Sequence, residues 1–210
     1  MKRTKDPLAR YFSQKSWSTP EWICLGIMAL LVVIWIIGTA ADWYMNYLVF
    51  PPLAVALAAM IVLKTGKVGD AEMERTLQKW VAETLPEEEN ASTVAAYDLC
   101  GAPVRKGGDG KVRSPAYVTS HFGKIGEVTR LTVRRFDLPT HNVAESVYDL
   151  APEDIVVLRE RVLPVPGGRK TVGQLVCEGK GLSIPVVPDD LETTTLIEKF
   201  CQLKRETVTD

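Results

Sequence analysis

Four cysteines and two histidines carry the side chains best suited to thiolate or zinc chemistry: Cys24, Cys100, Cys177, Cys201, His121 and His141. A zinc site written into a sequence places cysteines or histidines two to four residues apart, so that one short turn presents two ligands. None of the six has such a neighbour. In a reducing compartment the cysteines read as small buried apolar residues. The histidines, one between strands and one in a turn, read as surface polar groups. Cys100 with His121 is the one arithmetic thiolate–imidazole pair, and no signature of an activated nucleophile accompanies it. Gly167-Gly168-Arg169-Lys170-Thr171 looks like the close of a phosphate loop. That loop needs a glycine five residues before Gly168, where Leu163 stands, and a helix afterwards, where strand-like residues follow. It is read as a turn. Glu153-Asp154 and Asp189-Asp190 sit where turns or helices start, so capping accounts for them. The expectation is a protein that is not an enzyme, with no metal and no cofactor.

The least bland chemistry is charge. Between Gly101 and Phe136 lie Arg105, Lys106, Lys111, Arg113, Lys124, Arg130, Arg134 and Arg135 against Asp109 and Glu127, a net of +6. Residues 65–210 as a whole carry a net of −4. Near an anionic bilayer each such cation is worth about 1 kcal/mol. Arg105, Lys106, Lys111, Arg113, Arg134 and Arg135 are therefore the candidate contacts for anionic lipid or a protein partner. The plainer reading is a solvated face with scattered pairing. Nucleic acid is not expected, because no aromatics are interleaved with these cations and the surrounding segment is acidic.

The elements that would position these groups begin with two apolar runs. Of the 42 residues from Trp22 to Leu63, 35 are apolar and only Asp42 is charged. An α-helix of about 20 residues spans about 30 Å, the thickness of a bilayer's hydrocarbon core. Trp22–Ala41 and Trp43–Leu63 are thus expected to cross the membrane as antiparallel neighbours. Trp17 and Trp22 at one end, and Trp43, Tyr44 and Tyr47 at the other, form an interfacial belt. A cleaved signal peptide is the rival, disfavoured by the length of the first run and by the second run at once after it. Lys2, Arg3, Lys5, Arg10 and Lys15 precede the hairpin, Lys64 and Lys67 follow it, and the connection has no cation. The positive-inside rule then puts both termini in the cytoplasm of a cell (inner) membrane protein. Pro51-Pro52 predicts a kink in a helix that starts near Trp43, with a helix starting near Pro51 as the alternative. Ala54 and Ala58 form a small-xxx-small pair, a candidate for helix packing within the hairpin or against a partner. No ionisable group lies mid-span, so an ion path within one chain is not expected.

After the hairpin, Asp70–Leu85 reads as a helix, with Met73, Leu77, Trp80 and Val81 on one face and Pro86 ending it. Packing on the following domain is the default for that face. Pro86-Glu87-Glu88-Glu89-Asn90 is an acidic linker, and Asn90-Ala91-Ser92 is a glycosylation sequon that would matter only outside the cytoplasm. Strands follow at Thr93–Leu99, Ala116–Ser120, Glu127–Phe136, Val143–Leu150, Ile155–Leu163, Lys170–Glu178 and Leu182–Val187, separated by Gly- and Pro-rich turns. Asp189 or Asp190 caps a last helix running to about Arg205, with Lys199, Lys204 and Arg205 toward its C-terminal end.

About seven strands closed by a C-terminal helix is the layout of pleckstrin-homology-like (PH-like) domains. Gly181-Leu182-Ser183-Ile184-Pro185, Asp190-Leu191-Glu192 and Leu196-Ile197-Glu198-Lys199-Phe200 resemble the closing strand, Ile-Pro step and final helix of the YcxB-like family. That family comprises bacterial PH-like membrane proteins with an N-terminal two-helix hairpin. Val186 stands where it usually has a basic or aromatic residue. The resemblance implies a membrane-anchored α+β protein in four parts. These are a basic cytoplasmic tail (1–20), a transmembrane hairpin (21–64), an amphipathic helix with acidic linker (65–92), and a cytoplasmic antiparallel β domain with C-terminal helix (93–210). From the hairpin, the strand count with final helix and the missing catalytic constellation, the expected role is non-enzymatic binding of a protein partner or the membrane surface. An accessory subunit of a transport or secretion complex, assembling through its hairpin, is the alternative. The expected partners are the bilayer and a protein or a second copy of the chain.

Overall fold

The computed structural model describes residues 6–14, 17–41, 46–86, 92–101, 103–188 and 190–207. Several expectations lie outside these residues: the connection at Asp42, Trp43 and Tyr44, the cations Lys2, Arg3, Lys5 and Lys15, the acids Glu87, Glu88 and Glu89, the sequon at Asn90 and Ala91, and Asp189. The chain forms two compact units. Ser13–Gly69 is one, and the residues up to Phe12 together with those from Asp70 are the other.

The first unit is a pair of apolar helices, α2 (Thr19–Ala40) and α3 (Asn46–Thr65), following a short helix α1 (Pro7–Ser13). Both long helices have the length and composition to cross a membrane. Ser18 and Glu21 start α2: the Glu21 carboxylate accepts from the Ser18 amide at 2.6 Å and from its hydroxyl at 2.8 Å. The same carboxylate, fully buried, meets the Lys67 ammonium at 2.6 Å. Gln14 exchanges two hydrogen bonds with the Val68 backbone, at 2.8 and 3.0 Å, and Lys64 lies 4.8 Å above the Trp17 ring. The start of α2 and the end of α3 are therefore held together, as antiparallel neighbours require. Reduced exposure recurs at Glu21, Cys24, Met28, Leu31 and Gly38 in α2, and at Val49, Leu53, Ala56, Met60 and Leu63 in α3. Those are steps of three and four residues, apart from the seven between Leu31 and Gly38, the spacing of a two-helix seam. Trp35 and Phe50 meet across it with ring centres 6.2 Å apart. The outward side chains are apolar and bare: Ile37 is 60% exposed and Val62 70%.

Two sequence expectations change here. Among the described residues helix α3 runs without interruption from Asn46 through Pro51 and Pro52, so it does not start near Pro51; the expected start near Trp43 lies outside the described residues. The prolines take donors only from the carbonyls of Tyr47 and Leu48, close to the helix start. Ala54 and Ala58 are not in the seam between α2 and α3. Both are exposed, and Ala56 lies buried between them.

The second unit is built on β1 (Thr93–Tyr97), β2 (Arg105–Lys106), β3 (Val112–Arg113), β4 (Ala116–Ile125), β5 (Val128–Asp137), β6 (Asn142–Leu150), β7 (Ile155–Val165), β8 (Gly168–Cys177) and β9 (Leu182–Val186). Helices α4 (Asp70–Thr84) and α5 (Leu191–Phe200) and strand β10 (Gln202–Thr207) complete it. One antiparallel sheet has the order β1-β4-β5-β6. The other has the order β10-β7-β8-β9, antiparallel except for the β10–β7 pair. Strands β2 and β3 make a separate ribbon. The class is mixed α+β with a multi-strand antiparallel sheet.

Alternation of apolar residues sends one face of each sheet into a shared core. Val118, Phe122, Leu131 and Val133 come from the first sheet, Val156, Leu158, Leu175 and Ile184 from the second, and Ile197 from α5. Asp190 caps α5 by accepting from the Glu192 amide at 3.1 Å and the Thr193 hydroxyl at 2.6 Å. At its other end Thr129 on β5 donates to the Phe200 carbonyl at 2.7 Å. The helix stops there, not at Arg205. Gln202–Thr207 instead pairs with β7, putting Lys204 and Arg205 on a strand and covering an edge that would otherwise be open.

The other face of the first sheet carries α4 and α1. Met73 and Leu77 are buried, and Trp80 meets Phe136 edge-on at 5.0 Å. His141, in the left-handed region at φ +58°, stacks on Trp80 at 4.0 Å. From α1, Leu8 and Tyr11 are 0% and 1% exposed.

Candidate anion-binding cleft

The basic run does not form one free face. Arg113 is the most committed of its members. Its side chain is 2% exposed, grips Asp109 in a fork at 2.6 and 2.9 Å, bonds Glu74 at 3.3 Å and lies 3.7 Å from Asp70. Three carboxylates thus share one internal guanidinium, which ties the β2–β3 ribbon to α4. Its hydrogen bonds hold the Asp109 carboxyl down at about 2. Arg105 donates to the Tyr11 carbonyl and lies 4.7 Å over the Tyr11 ring. Arg130 pairs with Asp149 at 2.8 Å and Arg134 with Glu145 at 2.7 Å, each across the β5–β6 ladder. Arg135 donates to the Ser183 carbonyl at 2.6 Å and lies 3.5 Å from Asp98. So of the six expected contacts, Arg105, Arg113, Arg134 and Arg135 are occupied within the fold, and Lys106 and Lys111 remain.

Lys106 and Lys111 stand on the β2–β3 ribbon at either side of the turn Gly107-Gly108-Asp109-Gly110. That turn closes by Gly107 accepting from the Gly110 amide at 3.1 Å and donating to the Lys111 carbonyl at 2.9 Å. Opposite it is the β7–β8 hairpin, where Val165 faces Gly168. Pro166 is followed by Gly167 at φ +88°, the sign that the second central residue of a type II turn needs. A Cβ at Gly167 would lie 2.6 Å from the Lys106 ammonium, so the end of the lysine reaches the turn where it carries no side chain. The hairpin brings Arg169 and Lys170 to the same place.

The result is a cleft of about 420 Å³ with Lys106, Lys111, Arg169 and Lys170 around it and Tyr97, Val112 and Val165 in its lining. Among the described residues no carboxylate lies within 4.0 Å of any of these four cations. The nearest acid of the lining, Glu74, is already bonded to Arg113 and accepts from the Tyr97 hydroxyl at 3.2 Å. Burial and Glu74 together push the Tyr97 phenol well above its ordinary value, so it stays a neutral donor. Four cations around a concave lining can hold a multiply charged anion.

Sequence reading found Lys106 and Lys111 and noticed Arg169-Lys170 as a false phosphate loop. What it lacked was their juxtaposition, which depends on a hairpin pairing almost 60 residues further along the chain. The Cys100–His121 pair is separated by the ladder: His121 faces Thr93 at one end of β1 and Cys100 follows its other end, about 13 Å of strand away. Among the described residues no cluster of histidine, cysteine and acid side chains is arranged to hold a metal.

Compared with protein-family models, with curated proteins and with solved structures, the chain matches none.

Proposed function

We propose that this is a non-enzymatic integral membrane protein whose two-helix hairpin tethers a PH-like domain, and that the domain binds an anionic group of the membrane surface through the Lys106–Lys111–Arg169–Lys170 cleft. The observation that carries the binding role is the set of four cations left without carboxylates around one cleft, in a fold that pairs Arg113, Arg130 and Arg134 with acids. The PH-like assignment rests on the strand order: four antiparallel strands (β1, β4, β5, β6), then three (β7, β8, β9), then α5 over the core. Two features support the tether. The outer faces of α2 and α3 are apolar except near the helix ends, where Thr39, Lys64 and Thr65 are exposed. And α1, which precedes the hairpin, is buried in the unit that follows it, which demands an even number of crossings between them. With the basic flanks, this favours both termini in the cytoplasm at the inner membrane.

The test is hydrogen exchange on the full chain in nanodiscs with and without anionic lipid. The proposal expects slower exchange over 105–113 and 165–171 only with anionic lipid, relieved by salt. Equal exchange in both discs would overturn it.

A second reading, a subunit assembling through its hairpin, is favoured by the outward position of Ala54 and Ala58. Replacing both by Leu would then abolish co-purification of a second copy or a partner, and an unchanged assembly would refute it.

A further inference from the structure

Beside the basic cleft lies a second cavity, of about 190 Å³, and the two share Glu74, Tyr97, Val112 and Lys170 in their linings. The second is mostly apolar elsewhere: Ala95, Leu99, Tyr117, Val172, Val187 and Pro188 contribute to it, beside Thr171. It opens where the two sheets meet without a ladder, since among the described residues β1 pairs with β4 alone and β9 with β8 alone. Pro185 on β9 has no amide hydrogen to offer toward β1, which suits an unpaired edge. A basic cleft that continues into an apolar slot has the polarity of a molecule with a charged head and a hydrocarbon tail.

We infer that the two cavities are one site for an anionic amphiphile, with a phosphate-type head among Lys106, Lys111, Arg169 and Lys170 and a short hydrocarbon segment in the slot between β1 and β9. This rests on the cleft reading above and adds the tail. A phosphate dianion fits better than a single carboxylate, because one anion must offset four cations and Arg169 supplies a forked donor for it. The head and tail chemistry is shared by a membrane lipid and by a soluble alkyl phosphate.

The test measures binding of hexyl phosphate, inorganic phosphate and hexanol to the full chain in zwitterionic nanodiscs. Burial of two methylenes gives hexyl phosphate about tenfold tighter binding than inorganic phosphate. Hexanol, lacking the head, leaves the exchange of 105–113 unchanged. Lys106→Ala with Lys111→Ala weakens both phosphates. Val187→Trp, at an exposed position on the slot, brings hexyl phosphate down to the level of inorganic phosphate and leaves the latter unchanged. Equal affinity of the two phosphates overturns the amphiphile and leaves the cleft standing. No binding of either overturns both. Repeating the titration in discs that contain phosphatidic acid separates the sources. Loss of hexyl phosphate binding there supports the site with a lipid as its natural occupant, and unchanged binding supports it with a soluble one.

Discussion

The Tyr11 hydroxyl donates a 2.6 Å hydrogen bond to Oδ1 of Asp70, joining the segment that precedes the apolar hairpin to the one that follows it. Asp70 also accepts from the Asp109 amide at 3.2 Å, so one carboxylate links α1, the first turn of α4 and the β2–β3 ribbon. Burial, and then the bond to Asp70, push the Tyr11 phenol up to about 12. Because this value is raised above that of the unfolded chain, the contribution to stability is complete below about pH 10. It is lost as pH rises through about 12. Tyr11→Phe should cost about 1–2 kcal/mol at neutral pH. The gap between the two proteins should close on the alkaline side, as read by chemical denaturation at a series of pH values. A gap independent of pH would contradict the bond.

Arg113 is buried with three carboxylates around it. Arg113→Met leaves those charges uncompensated and should destabilise the domain by about 3–5 kcal/mol. The same group shapes the acid limb. The Asp109 carboxyl is held at about 2, so its contribution is present above about pH 4 and lost as pH falls toward 2. Asp109→Asn should flatten that part of the acid denaturation curve, measured by circular dichroism.

At Gly173, paired with Val186 across the β8–β9 ladder, an added Cβ would lie 2.9 Å from Val186 Cγ2 and 3.1 Å from its backbone oxygen. The backbone contact cannot be relieved by a rotamer change. Gly173→Ala should cost about 1–3 kcal/mol by overpacking, seen as a lower denaturation midpoint.

The thiols should separate in rate. Cys100 is exposed and Cys177 is 3% exposed, while burial pushes the Cys201 thiol up to about 11. Maleimide labelling at pH 8, read by peptide mass spectrometry, should reach Cys100 well before Cys177 or Cys201.

Some of this was legible in the sequence for physical reasons. The two apolar helices show because hydrocarbon length fixes a run of about 20 residues. Most strands show because a half-buried strand alternates, as Val128–Asp137 does. Charge counting saw Asp109 but missed Glu74, 39 residues before Arg113, and Glu145, on the strand next to Arg134. No local pattern encodes such pairings. The helix overrun past Phe200 has a similar cause: Gln202–Thr207 tolerates either form, and the open edge of β7 decides. The docking of α1 also went unseen, because its partners follow the whole hairpin.

The most direct measurement of the central claim is the sidedness of the hairpin and the domain. In intact cells, a membrane-impermeant maleimide should label an Asp42→Cys variant at the connection and leave the native, exposed Cys100 untouched until the cells are permeabilised. That result places the β domain and both flanks of the hairpin on the cytoplasmic side. Labelling of Cys100 in intact cells, or protection of the connection until permeabilisation, would contradict the account.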